Sequence, residues 1–214
     1  MLVEEIMTQD IITLHSTDTI ETAYKTMVQH SIRHLPIVDD EYKLVGIISD
    51  RDIRDAAPSI FHQEFSLNLF QEPIGKIMIQ EVFTCHPLDC VEEVSLIFFE
   101  QKVSCLPVLN GGKLVGLLTG SDCLRSVLTL TGVHTPSSRI EIKAKNEPHM
   151  LNNITRFFTK RHINMVSILV YPHQESDYNV FIVRFQSLNP LSLINQLKQE
   201  GYTVRWISAM GEAE

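Results

Sequence analysis

The sequence predicts a mixed α/β (α+β) chain in three parts: one strand–helix–strand–strand–helix unit written twice, then a βαββαβ domain. Three observations predict it. First, "VEEIMTQDIITLHSTDTIETAYKTMVQHSIRHLPIVDD" (3–40) aligns with "IGKIMIQEVFTCHPLDCVEEVSLIFFEQKVSCLPVLNG" (74–111), matching Met7 to Met78, Thr13 to Thr84 and Pro36 to Pro107. Second, the same junction closes each copy, "GIISDRD" at 46–52 and "GLLTGSD" at 116–122. Third, the texture changes after "TGVHTPSS", where strict alternation begins in "RIEIKA".

Each copy opens on a short apolar strand, "IITL" or "VFTC". "STDTIETAYKTMVQH" follows as a helix: Ser16 or Thr17 is placed to cap it, Glu21 sits in its first turn, and Ile20, Ala23, Tyr24, Met27 and Val28 recur at helical spacing. Strands "HLPIVD" and "KLVGIIS" then make a hairpin, and a second helix begins near Asp50. The second copy repeats this with "VEEVSLIFFEQ", "CLPVLN", "KLVGLLT" and "DCLRSVLTL". One residue is lost between "DDEYK" and "NGGK", at a hairpin tip, where a length change is cheapest. "NGG" is itself a tight-turn signal. A unit of this size is too small to bury a core alone, so two units are expected to share one.

The ordered pattern "[HC]-L-P-[IV]-[VL]" then "L-V-G-h-h-[ST]-x-x-D", found twice, resembles the CBS domain, which occurs in tandem pairs called Bateman modules. In the third segment, "EPHMLNNITRFFTKR" puts Met150, Leu151, Ile154, Phe157 and Phe158 on one helical face. "INMVSILVYP" and "YNVFIVRFQ" pair across "HQESD"; "NPLSLINQLKQEG" is a helix capped by Asn189, opened by Pro190 and stopped by Gly201; "YTVRWIS" closes the set. This ferredoxin-like βαββαβ order, following a regulatory module, is similar to an ACT domain. Its first loop reads "KNEPHML", with His149 where amino-acid-binding ACT domains carry Gly, so dimerisation through the sheets is the expected use. The expected architecture is thus a tandem CBS-domain pair followed by a ferredoxin-like ACT-like domain. Its boundaries are 1–60, a linker 61–73, 74–131, a linker 132–138, and 139–210. With "IRHLPIVDD", "SDRDIRDAAPSIF", "HPLDCVEEVS", "LTGV", "LVYPH" and "NPL", the chain resembles the acetoin utilization protein B family over nearly its full length. That resemblance implies a regulatory role in acetoin or butanediol carbon use.

A nucleotide needs a flat apolar slot, an acceptor for its ribose hydroxyls and donors for its phosphates. Asp52 and Asp122 are candidate acceptors, since a carboxylate takes two charge-assisted bonds from a diol. Ser49, Thr119 and Ser121 stand where a hydroxyl reaches a phosphate beside the N–H groups of a helix start. The resemblance implies ribose and phosphate contacts at these positions. It also implies phosphate contacts for Arg33 and His34, with Arg51 a third donor; the second copy has Ser104 and Cys105 opposite the first two, so two unequal sites are expected. The base slot is expected between Ile12, Thr13, Pro36 and Ile37 in one copy and Phe83, Thr84, Pro107 and Val108 in the other. The candidate ligands are AMP, ADP, ATP and S-adenosylmethionine. Ser49-x-x-Asp52 and Thr119-x-x-Asp122 equally fit a helix cap, worth about 0.5–2 kcal/mol, and the two roles are compatible. His34 equally fits a satisfied core histidine, and Arg33 a surface ion pair.

Charge narrows the partners. Of the 214 residues, 1–138 carry 9 Lys and Arg against 19 Asp and Glu, while 139–214 carry 9 against 7. The acidic first part repels phosphate backbones, which disfavours nucleic acid. No apolar run reaches the roughly 18 residues of a membrane span. "MLVEEIMTQD" lacks the order of a signal peptide, so a cytoplasmic location is expected. Cys85, Cys90, Cys105 and Cys123 form no C-x-x-C pair and fit buried thiols better than zinc ligands. Nucleophile, P-loop, zinc-protease and dinucleotide signatures are missing, so no catalytic residue, metal site or required cofactor is assigned. A homodimer is the expected assembly. A ligand-free CBS and ACT dimerisation scaffold is the competing reading.

Overall fold

The structure is a computed structural model that describes residues 1–56, 70–175 and 177–207. The expected end of the first copy, most of the 61–73 linker and the residues from 208 onward lie outside the described residues. In chain order the first part holds α1 (Ile20–His30), β1 (His34–Val38), β2 (Leu44–Ser49), α2 (Asp50–Ala56), α3 (Val91–Gln101), β3 (Cys105–Asn110), β4 (Lys113–Thr119) and α4 (Gly120–Thr131). The last part holds β5 (Ser138–Lys145), α5 (Met150–Thr159), β6 (Met165–Pro172), β7 (Tyr178–Phe185), α6 (Pro190–Gln199) and β8 (Thr203–Ile207). The chain divides into two compact units, 1–126 and 127–214.

In the first unit β1 pairs antiparallel with β2, setting His34 opposite Ser49, and β3 pairs with β4, setting Cys105 opposite Thr119. Gly111 and Gly112 turn the second hairpin at φ +58 and +80, the left-handed pair that a two-residue turn of this kind requires. The first hairpin uses its extra residue differently: the Asp39 carboxylate accepts from Glu41 N–H (3.0 Å) and Lys43 N–H (2.8 Å).

The expected strands "IITL" and "VFTC" reduce to one bridging residue each. Leu14 bridges Ile37 in parallel and Cys85 bridges Val108. The next step of a parallel ladder would need an N–H from Pro36 or Pro107, and proline has none. On the other side, the Ser16 carbonyl is taken by Gly75 N–H (2.9 Å). The cap of α1 is also displaced. Thr19, not Ser16 or Thr17, accepts from Thr22 N–H at 3.2 Å. The Asp18 carboxylate takes His15 N–H (2.7 Å), which holds the preceding turn outside the helix. The α1 stripe is narrower than its spacing suggests: Ile20, Ala23 and Met27 are buried, whereas Tyr24 and Val28 are exposed.

The two copies share their cores by exchange. Val3, in the turn that opens the first copy, is fully buried with Val91, Val94, Leu106, Val108 and Leu118 of the second. Ile74, its counterpart, is fully buried with Ile20, Leu35, Ile37, Ile48 and Ile53 of the first. Thr8 trades two backbone bonds with Leu117 (2.9 Å each), and Ile79 does the same with Ile47 (2.9 Å each). The matched glycines serve this crossing. A Cβ on Gly46 would stand 2.9 Å from the Ile79 carbonyl oxygen and 2.9 Å from the Met78 sulfur, and one on Gly116 would collide with the Met7 sulfur.

The second unit is a four-stranded antiparallel sheet, β6-β7-β5-β8. Ile140 and Ile142 on β5, Phe181, Val183 and Phe185 on β7, and Val204 on β8 form one face. Met150, Ile154 and Phe158 of α5 and Leu193, Ile194 and Leu197 of α6 cover it. Phe158 meets Phe185 edge-on at 5.4 Å. Leu151 is exposed rather than on the buried face, because the 3.6-residue turn aligns Met150 with Ile154 and Phe158 and leaves residue 151 at the margin. Asn189 caps α6 by accepting from Ser192 N–H (3.3 Å), with Pro190 in the first turn.

Candidate functional site

Each hairpin delivers its second strand directly into a helix start. At the end of β2, Ser49 donates to Asp52 Oδ2 through its N–H (2.7 Å) and its hydroxyl (2.6 Å), while Asp52 N–H donates back to Ser49 Oγ (3.3 Å). At the end of β4, Thr119 donates to Asp122 Oδ2 through its N–H (2.9 Å) and hydroxyl (2.6 Å). The Ser49–Asp52 pair is therefore a reciprocal capping box, whereas Thr119–Asp122 makes only the half in which the carboxylate accepts the N–H of the capping residue. Both bonds converge on one oxygen, so Oδ1 of each half-buried carboxylate has no hydrogen bond among the described residues and retains its acceptor capacity.

The basic residues of the first copy gather at this start. The Arg33 carbonyl accepts from Asp50 N–H (3.0 Å), and register places His34 beside Ser49. Arg54 pairs with Asp50 at 3.0 Å across one helical turn. Arg33 and Arg51 are exposed and form no ion pair among the described residues. His34 Nε2 lies 2.7 Å from Ser104 Oγ, so a residue expected in the second site touches one expected in the first. Burial holds the His34 imidazole below its usual pKa and Arg33 adds to this, while Asp50 and Asp52 work in the opposite direction. Opposite Thr119, Cys105 is buried; desolvation, Asp122 and Cys85 push its thiol up to about 12, so it is neutral. Desolvation with Asp89 and Cys123 does the same to Cys85. All four cysteines are free.

The slot residues come together in part. The Leu14 N–H bond to the Pro36 carbonyl (3.2 Å) lays Ile12 and Thr13 along β1, and the Cys85 N–H bond to Pro107 (3.1 Å) lays Phe83 and Thr84 along β3. Ile12, Thr13 and Thr84 are half-buried and Phe83 is 48% exposed. Ile37 and Val108 are fully buried in the cores and offer no surface, which corrects their place in the slot: alternation along the strand turns them inward. Pro36 and Pro107 are buried as well, and Ser104 and Ser121 are exposed.

Sequence reasoning missed three contributors. Asp50 was masked by its neighbour Asp52. The segments Met7–Thr8 and Met78–Ile79, which lie against β4 and β2, carried a signal in the Met7–Met78 match, but a repeat does not say which copy each residue touches. The His34–Ser104 contact joins unmatched positions and left no pattern. In the second unit, His149 has φ −88 and ψ −2, a backbone open to any residue, and its ring lies 3.1 Å from Glu147. Among the described residues no helix is long and apolar enough to cross a membrane, and no group of three or more His, Cys, Asp and Glu is placed to hold a metal.

The family model of the CBS domain matches residues 3–59 and 74–129, and that of the ACT domain matches 138–201. A CBS domain-containing protein of Dictyostelium discoideum is 32% identical over 143 residues, covering 64% of this chain and 99% of that one. The L-aspartate semialdehyde sulfurtransferase of Methanocaldococcus jannaschii is 35% identical over 125 residues, but the chain spans only 23% of its length. Among solved structures, a CBS domain pair in complex with 5′-methylthioadenosine and S-adenosyl-L-methionine is 34% identical, with a TM-score of 0.52 over 59% of this chain and 95% of that one. A Vibrio cholerae protein described as an acetoin utilization protein (AcuB) is also 34% identical, with a TM-score of 0.55 over 63% and 95%. An Arabidopsis thaliana CBS-pair protein in complex with AMP is 26% identical, with a TM-score of 0.52 over 59% and 96%. The paired junctions, the exchanged cores and these matches agree: the chain belongs to the CBS domain family, as a tandem pair followed by an ACT domain.

Proposed function

We propose that this protein is a non-catalytic regulator whose CBS pair binds adenosyl nucleotides and signals the occupancy by a change in geometry. The observation that carries this reading is the repeated hydroxyl–Asp pair, which leaves one oxygen of Asp52 and one of Asp122 able to accept from a ribose diol beside a helix start. The exposed Arg33 and Arg51 and the adjacent His34 supply phosphate donors in the first half. Solved relatives with AMP, with 5′-methylthioadenosine and with S-adenosyl-L-methionine point to the same ligand class. Likeness to the Vibrio cholerae protein supports a role in acetoin or butanediol carbon use. Isothermal titration with AMP, ADP, ATP and S-adenosylmethionine tests the reading. Heat is expected with at least one of them, and Asp52→Ala and Asp122→Ala should weaken separate sites. Silence with all four ligands would overturn it.

The scaffold reading has its own support. Val28 on α1 and Leu96 and Phe99 on α3 are 63%, 57% and 83% exposed, and large apolar side chains left in water favour a protein contact. A homodimer satisfies both readings. Sedimentation with and without AMP separates them: a dimer indifferent to nucleotide, together with silent titrations, is the scaffold's signature.

A further inference from the structure

Building on that adenosyl reading, we infer that the first half of the module takes up a proton from solvent at His34 when it takes a 5′ phosphate. AMP then binds more tightly as pH falls from about 8 to about 6.5, and an adenosine without a phosphate does not.

The ring stands beside the groups proposed to hold the nucleotide. Antiparallel register sets His34 directly opposite Ser49, and side chains so paired share one face of the hairpin. Ser49 is the residue whose N–H and hydroxyl hold Asp52, the proposed ribose acceptor. Arg33, the proposed phosphate donor, precedes His34 in the chain and is near enough to act on the charge of its ring.

The hydrogen bonds of the ring suit either charge state. Nε2 lies 2.7 Å from Ser104 Oγ, and a hydroxyl can donate to a neutral ring or accept from a protonated one. Nδ1 makes no hydrogen bond among the described residues, so it can donate to a phosphate while Nε2 keeps Ser104. Protonation therefore breaks no bond, and the surroundings decide it. Burial favours the neutral ring most, Asp50 and Asp52 of α2 favour the cation, and Arg33 opposes it. Asp50 is itself paired with Arg54 at 3.0 Å. β2 and the second copy face the ring with the uncharged Ser49 and Ser104. The sum keeps the ring of the empty site below its usual pKa of about 6.5, so it is mostly neutral at pH 7. A phosphate dianion adds negative charge where water is partly excluded and gives Nδ1–H an acceptor, and both favour the cation. Paired with Arg33, it also offsets the one charge that opposes protonation.

Titration calorimetry of the full chain with AMP at pH 7, in buffers of unequal ionisation heat, reads this proton directly. About half a proton or more should be taken up per AMP, and about none with 5′-methylthioadenosine. AMP affinity should rise about three- to tenfold per pH unit across that window. Cations favour the dianion of AMP, whose second pKa is about 6, so its own phosphate releases protons on binding and cannot imitate the uptake. His34→Gln should abolish the uptake and weaken AMP more at about pH 6.5 than at about pH 8. If that variant fails to fold, the wild-type imidazole gives the answer by NMR: its proton affinity should rise about tenfold or more with AMP bound and stay unchanged with 5′-methylthioadenosine. AMP that binds without proton uptake, or uptake that survives His34→Gln, would overturn the inference while leaving the adenosyl reading intact. No binding of either probe would overturn that reading itself.

Discussion

At Gly46 a single hydrogen decides the packing. The Cβ of an alanine would press on the Ile79 carbonyl, which is fixed by its bonds to Ile47, and on the Met78 sulfur. At Gly116 its three nearest neighbours would all be atoms of the Met7 side chain, which can yield where a fixed carbonyl cannot. Gly46→Ala is therefore expected to cost about 1–3 kcal/mol and Gly116→Ala distinctly less, as read from urea unfolding midpoints. Equal costs would show that the carbonyl is not the obstacle. His34 makes a second residue-scale prediction. Its folded-state pKa lies below the ordinary value, so the unfolded chain binds the proton first and stability falls as pH drops. The loss begins near the ordinary pKa of about 6.5 and continues down to the lowered folded value. His34→Gln should lose less stability than the wild type between about pH 7.5 and 5.5; parallel curves would remove His34 from the acid response. Asp52 and Asp122 were legible because a short-range pattern repeats around each. The His34–Ser104 contact was not, because it joins positions 70 residues apart that the repeat does not match.

Elements were legible where their own period or punctuation set them. The α6 helix carries Asn189, Pro190 and Gly201 in the order its ends demand, and the structure uses them so. The opening strands failed for the opposite reason: their ladder depends on an N–H that a proline in another segment lacks. The exchange of opening turns was equally hidden, since alignment pairs Val3 with Ile74 but does not say which core each enters. Hydrogen exchange can show it. Val3→Ala should speed exchange in the β3–β4 hairpin, in the copy to which Val3 does not belong by sequence, and Ile74→Ala should speed it in β1–β2. Each change creates a cavity worth about 1–4 kcal/mol, enough to be read locally. Exchange that quickens in each residue's own copy would refute the crossing.

At the scale of the molecule, the order of parts was legible because each carries its own pattern: a doubled junction, then alternating strands. Which unit answers a nucleotide is a separate question, and each unit has a core of its own to answer with. The first unit holds both hydroxyl–Asp pairs. The second meets the first-loop position of an amino-acid-binding ACT domain with His149, which adds a side chain where that class has none. A ligand that binds only the folded form stabilises the unit that holds it, by about 2.7 kcal/mol at a hundredfold excess over Kd. AMP at that excess should slow exchange at Leu35, Ile48, Leu106 and Leu118, all fully buried in the first unit. Exchange at Ile140, Ile142 and Val183 in the second sheet should slow far less, unless the units open together. Protection that begins at β5 and α5 and spares the two hairpins would place the ligand in the ACT domain instead, and would turn the two hydroxyl–Asp pairs back into helix-end contacts alone.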